Sequence, residues 1–135
     1  MREIKFQVWD KEEKHMLSWE DINKLDQDGV VFFLDMLEDD QYIPLRFIGW
    51  RDKNGKEIYE GDILQFCTTY LKYWCPDETV KGEVKWSDGL AAFVVVVSDD
   101  EIYLLGDVIE SDEECEVLGN IYENPELLEL NDGSN

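Results

Sequence analysis

The amino-acid sequence predicts an all-β protein, with mainly antiparallel strands in a barrel-like or sandwich-like arrangement and one short helix at the C-terminus. Short runs rich in β-branched and aromatic residues recur at spacings of roughly ten residues, the rhythm of a small β architecture. Glycine-containing turns separate those runs, and no internal repeat or low-complexity linker interrupts them. At 135 residues, 44% of them hydrophobic, the chain fits one domain able to bury a real core. Within a single domain over residues 1–135, the pattern suggests an N-terminal hairpin region at 1–48 and a barrel-like core at 49–130.

Residues 4–9 alternate apolar and polar side chains, as a half-buried strand does, and the charged residues 10–14 then make a solvated turn before a second short strand from His15 to Leu17. Ser18 followed three residues later by Asp21 is a capping signal for a turn or two of helix, too weak to carry that helix by itself. Residues 30–34 read as a buried strand, and residues 38–41 as a loop. In residues 42–50 Leu45 and Phe47 share one face, and Pro44, which has no N–H, requires that the strand start after it or run along an edge. Asn54-Gly55 suits a type I′ or related tight turn, and a turn at residues 59–62 leads into a strand at 63–66. Residues 68–76 show little periodicity and read as a loop or a continuing edge. Residues 80–86 and 90–97 flank Ser87-Asp88-Gly89 as a hairpin. Residues 101–105 read as a further strand with Val108 and Ile109 beside it, and residues 115–122 as the last strand. Asn124, Pro125 and Glu126 then start the short helix: Asn can cap, Pro tolerates the first turn, and an acid favours the positive helix end.

The charge is −21, from 33 acidic and 12 basic residues, and it is uneven. No Lys or Arg follows Lys85, so residues 86–135 carry −14 and residues 1–85 carry −7. Such a surface repels phosphate backbones and anionic headgroups, which argues against direct nucleic-acid or membrane binding. There is no apolar N-terminal run, and the stretch at 90–97 is too short to span a bilayer. Cys67, Cys75 and Cys115, an odd set without paired spacing, read as free thiols in a reducing cytoplasm.

Three blocks carry a resemblance. Residues 2–10 (Arg2 to Asp10), residues 49–63 with their Asp52-Lys53-Asn54-Gly55 and Gly61-Asp62 turns, and residues 117–128 with Gly119-Asn120-Ile121-Tyr122-Glu123-Asn124-Pro125 resemble the YopX family of phage and prophage proteins, in the family's order and across nearly the whole chain. The resemblance implies a mostly β fold, a bacteriophage or prophage origin and a bacterial host cytoplasm, and it brings no catalytic residues. The chain departs from the family pattern at Trp50, where a small or polar residue often precedes the charged turn, and in the insert at 68–76 with the cysteines at 67 and 75.

No catalytic constellation is visible. His15 is the only histidine and has no evident nucleophile partner, and the cysteine spacing is unlike that of zinc sites. Calcium-loop frames set on Gly29 or Gly55 place Lys24 or Trp50 where an acid is needed, and the glycines of the central block lack a following Lys-Ser or Lys-Thr. The expectation is therefore a protein that is not an enzyme and carries neither cofactor nor metal. Its candidate partner surface is Trp50 with Tyr70, Tyr73 and Trp74 of the aromatic insert, and the acids Asp99, Asp100, Glu101, Asp112, Glu113 and Glu114. The partner would be a host or phage protein met by an acidic interaction module. The alternative is a DNA mimic whose spaced carboxylates replace phosphates. Exposed strand edges or a shared aromatic patch would allow a homo-oligomer, against the opposition of the net charge.

Overall fold

A computed structural model describes residues 4–25, 35, 37–68, 79–111 and 115–129. The strand expected at 30–34 and most of the insert at 68–76 lie outside the described residues. The chain divides into two compact units, residues 1–47 and 48–135.

In the first unit, β1 (Phe6–Asp10), β2 (His15–Leu17) and the first part of β3 (Tyr42–Arg51) form an antiparallel sheet with β1 in the middle. Asp10 shapes the β1–β2 turn. Its Oδ1 accepts the N–H groups of Glu12 and Glu13 at 3.0 and 3.1 Å and the Gln41 side-chain amide at 2.9 Å. The Gln41 hydrogen bond, with those two N–H donors and the charge of His15, holds the Asp10 carboxyl below its usual pKa although burial opposes it.

Pro44 lies inside β3, opposite Val8, and the hydrogen-bond phase explains why it is tolerated. The Phe47 N–H donates to the Lys5 carbonyl at 2.9 Å, so odd-numbered residues of β3 bond to β1 and Pro44 falls on the alternate set. The missing N–H would have pointed away from β1, which is the edge placement that proline demands.

The helix α1 (Trp19–Leu25) forms after all. Ser18 Oγ accepts the Asp21 N–H at 3.0 Å while the Ser18 N–H donates to Asp21 Oδ2 at 3.1 Å, a reciprocal cap. Hydrogen bonding to the carboxyl from Ser18, its main-chain N–H first and then its side chain, with the charges of Lys24 and His15, holds Asp21 low against partial desolvation. One wholly buried residue, Ile22, anchors the helix onto Val8, with Phe6, Leu17, Trp19 and Tyr42 packed around them.

The second unit contains the end of β3, β4 (Glu57–Tyr59), β5 (Asp62–Cys67), β6 (Thr79–Ser87), β7 (Ala92–Ser98), β8 (Glu101–Leu104), α2 (Leu105–Ser111), β9 (Glu116–Asn120) and α3 (Glu126–Glu129). Its five-stranded antiparallel sheet runs β8-β7-β6-β5-β9. The protein is thus all-β with small helices, as expected. Alternate residues of the sheet, among them Leu64, Phe66, Val80, Val84, Val95 and Val117, form the core with Ile48 and Ile58. Phe66 and Tyr103 meet edge to face at 5.6 Å. Each such fully buried side chain contributes about 1.5–3 kcal/mol through removal of apolar surface from water.

Two local expectations change, and the Asn54-Gly55 turn takes the second of its two expected forms. The strand expected at 101–105 ends at Leu104, and residues 105–111 turn into α2, which places Leu105 and Val108, three apart on one helical face, wholly inside the core. The turn at Asn54-Gly55 is not type I′, because only Gly55, at φ 82°, is left-handed. The Gly55 N–H donates to the Asp52 carbonyl and the Asp52 N–H to the Lys56 carbonyl, a three-residue loop with a glycine bulge. In the β6–β7 hairpin the left-handed residue is Ala91, at φ 51°, so the returning strand starts at Ala92.

Candidate functional site

The two later signature blocks converge within the second unit. Asp52 is buried, and its Oδ1 accepts the N–H groups of Asn54 and Lys56, each at 2.9 Å, while Oδ2 accepts the N–H of Val117 at 2.8 Å. The Lys53 N–H donates to the Cys115 carbonyl at 3.0 Å, and Lys53 Nζ lies 3.6 Å from the Glu116 carboxylate. One aspartate therefore shapes the hairpin turn and fastens it to β9. Burial pushes the Asp52 carboxyl up, but the N–H donors of Val117, Lys56 and Asn54 and the Lys56 charge outweigh it and hold the pKa low. Asp52→Ala is expected to cost about 2 kcal/mol, chiefly because the buried Val117 N–H loses its acceptor. Urea denaturation of the variant and the wild-type protein measures that loss.

Asp62 opens β5 opposite Asn120 on β9. Its Oδ2 accepts the Tyr59 N–H at 2.8 Å, closing the turn in which Gly61, at φ 85°, donates its N–H to the Val84 carbonyl and accepts that of Ile121. The Asn120 Oδ1 accepts the N–H groups of Tyr122 and Glu123, and its Nδ2 donates to Glu123 Oε1 at 2.8 Å. Between these residues the β5–β9 register shifts at Ile63/Leu64, so that Leu118 is left without a partner in the ladder. Asn124, expected as a helix cap, has its Oδ1 accepting the Asn120 N–H at 3.3 Å. Burial pushes the Asp62 carboxyl up to about 7, against the Tyr59 N–H and the Lys56 charge, with Asp52 and Glu123 adding to the rise. With 5% of its surface exposed, Asp62 sits in a wall of hydrogen-bonded main chain, and this centre works as a fastening between turns and β9.

The exposed surface offers more for recognition. Asp99 and Asp100 are exposed in the turn between β7 and β8, and Glu101, half-buried, accepts the hydroxyl hydrogen bond of Tyr103. Trp50 is 44% exposed, and its ring edge lies 3.6 Å from where a side chain on Gly106, at the start of α2, would begin. Ile102 and Leu104, on the same face of β8, are 50% and 42% exposed, and Asp107 and Glu110 are exposed on the helix that follows. Of the residues named for a partner surface, Trp50, Asp99, Asp100 and Glu101 all belong to the second unit, which also exposes Ile102 and Leu104. Tyr70, Tyr73, Trp74, Asp112, Glu113 and Glu114 lie outside the described residues. Ile102 and Leu104 were not expected there, because a β-rich run reads as buried unless the strand's place in the sheet is known.

His15 opens β2 in the first unit, exposed and opposite Asp10. Cys115 is buried, Cys67 is partly buried, and Cys75 lies outside the described residues. Among the described residues no group of three or more His, Cys, Asp or Glu is placed to hold a metal ion, and no helix is long and apolar enough to cross a membrane.

Together these features define a small, acidic, all-β protein whose signature aspartates serve its architecture. The model of the YopX protein family matches residues 5–129, and the chain belongs to that family. It is also similar to a solved structure described as the crystal structure of protein EF1440 from Enterococcus faecalis, with 25% identity and a TM-score of 0.60 over 95% of this chain and 99% of that one. No curated protein matches the chain.

Proposed function

We propose that the chain is a phage- or prophage-encoded accessory protein of the bacterial cytoplasm that acts without catalysis, as an acidic module binding another host or phage protein. The observation that carries this reading is the exposure of Ile102 and Leu104 on one face of β8, in the part of the chain after Lys85 where no basic residue occurs, with Trp50, also exposed, approaching Gly106 just beyond that strand. Single exposed apolar residues are ordinary on any surface, whereas an exposed pair on one strand face, with acids before and after it in the chain, is what a partner's apolar side chains would cover. The family membership supports a phage setting. The DNA-mimic alternative needs only carboxylates and gives Ile102 and Leu104 no role.

Capture from a bacterial lysate, comparing the wild-type protein with the double variant Ile102→Ser/Leu104→Ser, tests the reading. Proteins retained by the wild type and lost from the variant are the expected result. Equal capture by both, removed by salt and rich in DNA-binding proteins, would favour the mimic and overturn the proposal.

A further inference from the structure

Ile102 and Leu104 stand two residues apart on a strand, so their side chains repeat at about 6.6 Å on one face. They border Val96 and Val94 of β7, their register partners. An extended peptide presents its own alternate side chains at that same spacing. Charge selects the chemistry of such a segment: Asp99 and Asp100 precede the apolar pair, Asp107 and Glu110 follow it, and residues 86–135 contain no base, while two strands away on the same sheet face Glu83 stands beside Val96 and Lys85 beside Val94. A second copy of this chain would bring −21 against −21.

Resting on the protein-binding reading above, we infer that the β8 face takes an extended, Lys- or Arg-rich segment of its partner, whose alternate apolar side chains cover Ile102 and Leu104 while its basic ones meet the flanking acids. Apolar contact supplies the register and the fixed geometry. The acids supply the rate of encounter and the preference for a basic chain.

Two labelled synthetic peptides of equal length and charge test this by fluorescence anisotropy with the full-length protein, one alternating Lys with Val and the other Lys with Ser. The Lys-Val peptide is expected to bind the wild type at least about tenfold more tightly than Lys-Ser. In Ile102→Ser/Leu104→Ser, whose melting curve checks that the fold is intact, that advantage should vanish. High salt should weaken both peptides. Equal binding of the two peptides to the wild type, or an advantage that survives in the double variant, overturns the inference. Should that happen while the double variant still loses lysate proteins, the protein-binding reading stands and only the partner's chemistry is wrong. Loss of both results removes the reading as well.

Discussion

Replacing Asp62 by Asn is expected to stabilise the protein at about pH 8 by up to about 4 kcal/mol and to change little near pH 4, the ceiling being the roughly three-unit displacement of the carboxyl multiplied by 1.36 kcal/mol. The direction follows from the protonation of the two states. Folded, the carboxyl titrates at about 7, because burial disfavours its charge. Unfolded, it titrates near the ordinary aspartate value of about 3.9. Below that value both states are protonated and the group does not oppose folding. Between the two values the unfolded chain ionises first, so stability falls as pH rises through the window, and it levels off above about 7. Asn keeps an oxygen to accept the Tyr59 N–H and never acquires the charge. Chemical denaturation from pH 4 to 8 should therefore show a loss of stability with rising pH that is larger in the wild type than in the variant, where the raised carboxyl of Glu83 still contributes in the same sense. Asp52 acts in the opposite sense, since its lowered carboxyl contributes stability that is lost as pH falls through its folded value, and it remains in both proteins.

Gly82→Ala is expected to destabilise by about 3 kcal/mol, near the upper end of the range for overpacking a well-filled core. A Cβ at position 82 would lie 2.5 Å from Val95 Cγ1 and 3.0 Å from the Val96 carbonyl oxygen. Val95 is wholly buried, and the Val96 carbonyl is main chain in the neighbouring strand, so neither can yield without disturbing the sheet. Gly89→Ala is the control. Nothing lies within 4 Å of an added Cβ there and the backbone is not left-handed, so a shift within about 0.5 kcal/mol is expected. Urea denaturation of the two variants side by side measures the contrast.

The readable part of the fold was the part that local patterning dictates, by alternation or by short apolar runs between turns. The strands around Val8 and Val84 alternate apolar and polar positions, those around Leu64 and Val95 are short apolar runs bounded by turns, and Asn124-Pro125-Glu126 announces the final helix. The helices α1 and α2 were less legible because each is seven residues long. A helix that short shows only one or two periodic contacts: Ile22 in the first, Leu105 and Val108 in the second, where the β-branched Val suggests strand as readily as helix. Turn chemistry was legible in kind, but not which residue turns left-handed: Gly55 without Asn54 in one turn, and Ala91 in the other.

The site divides along the same line. That the central and terminal blocks belong together could be read from the resemblance, yet nothing local announces that Asp52 reaches the Val117 main chain, sixty-five residues away. The outward face of Ile102 and Leu104 depends on where β8 falls in the sheet, which is a property of the topology.

Site-specific photo-crosslinking in living bacteria tests the central claim most directly. A photoreactive amino acid placed at Ile102 should give a discrete adduct with a partner protein, and the same group at the exposed Glu20 of α1 should give none. Adducts of equal yield at both positions, or none at Ile102 while the protein is folded and abundant, would contradict the assignment of β8 as the binding face.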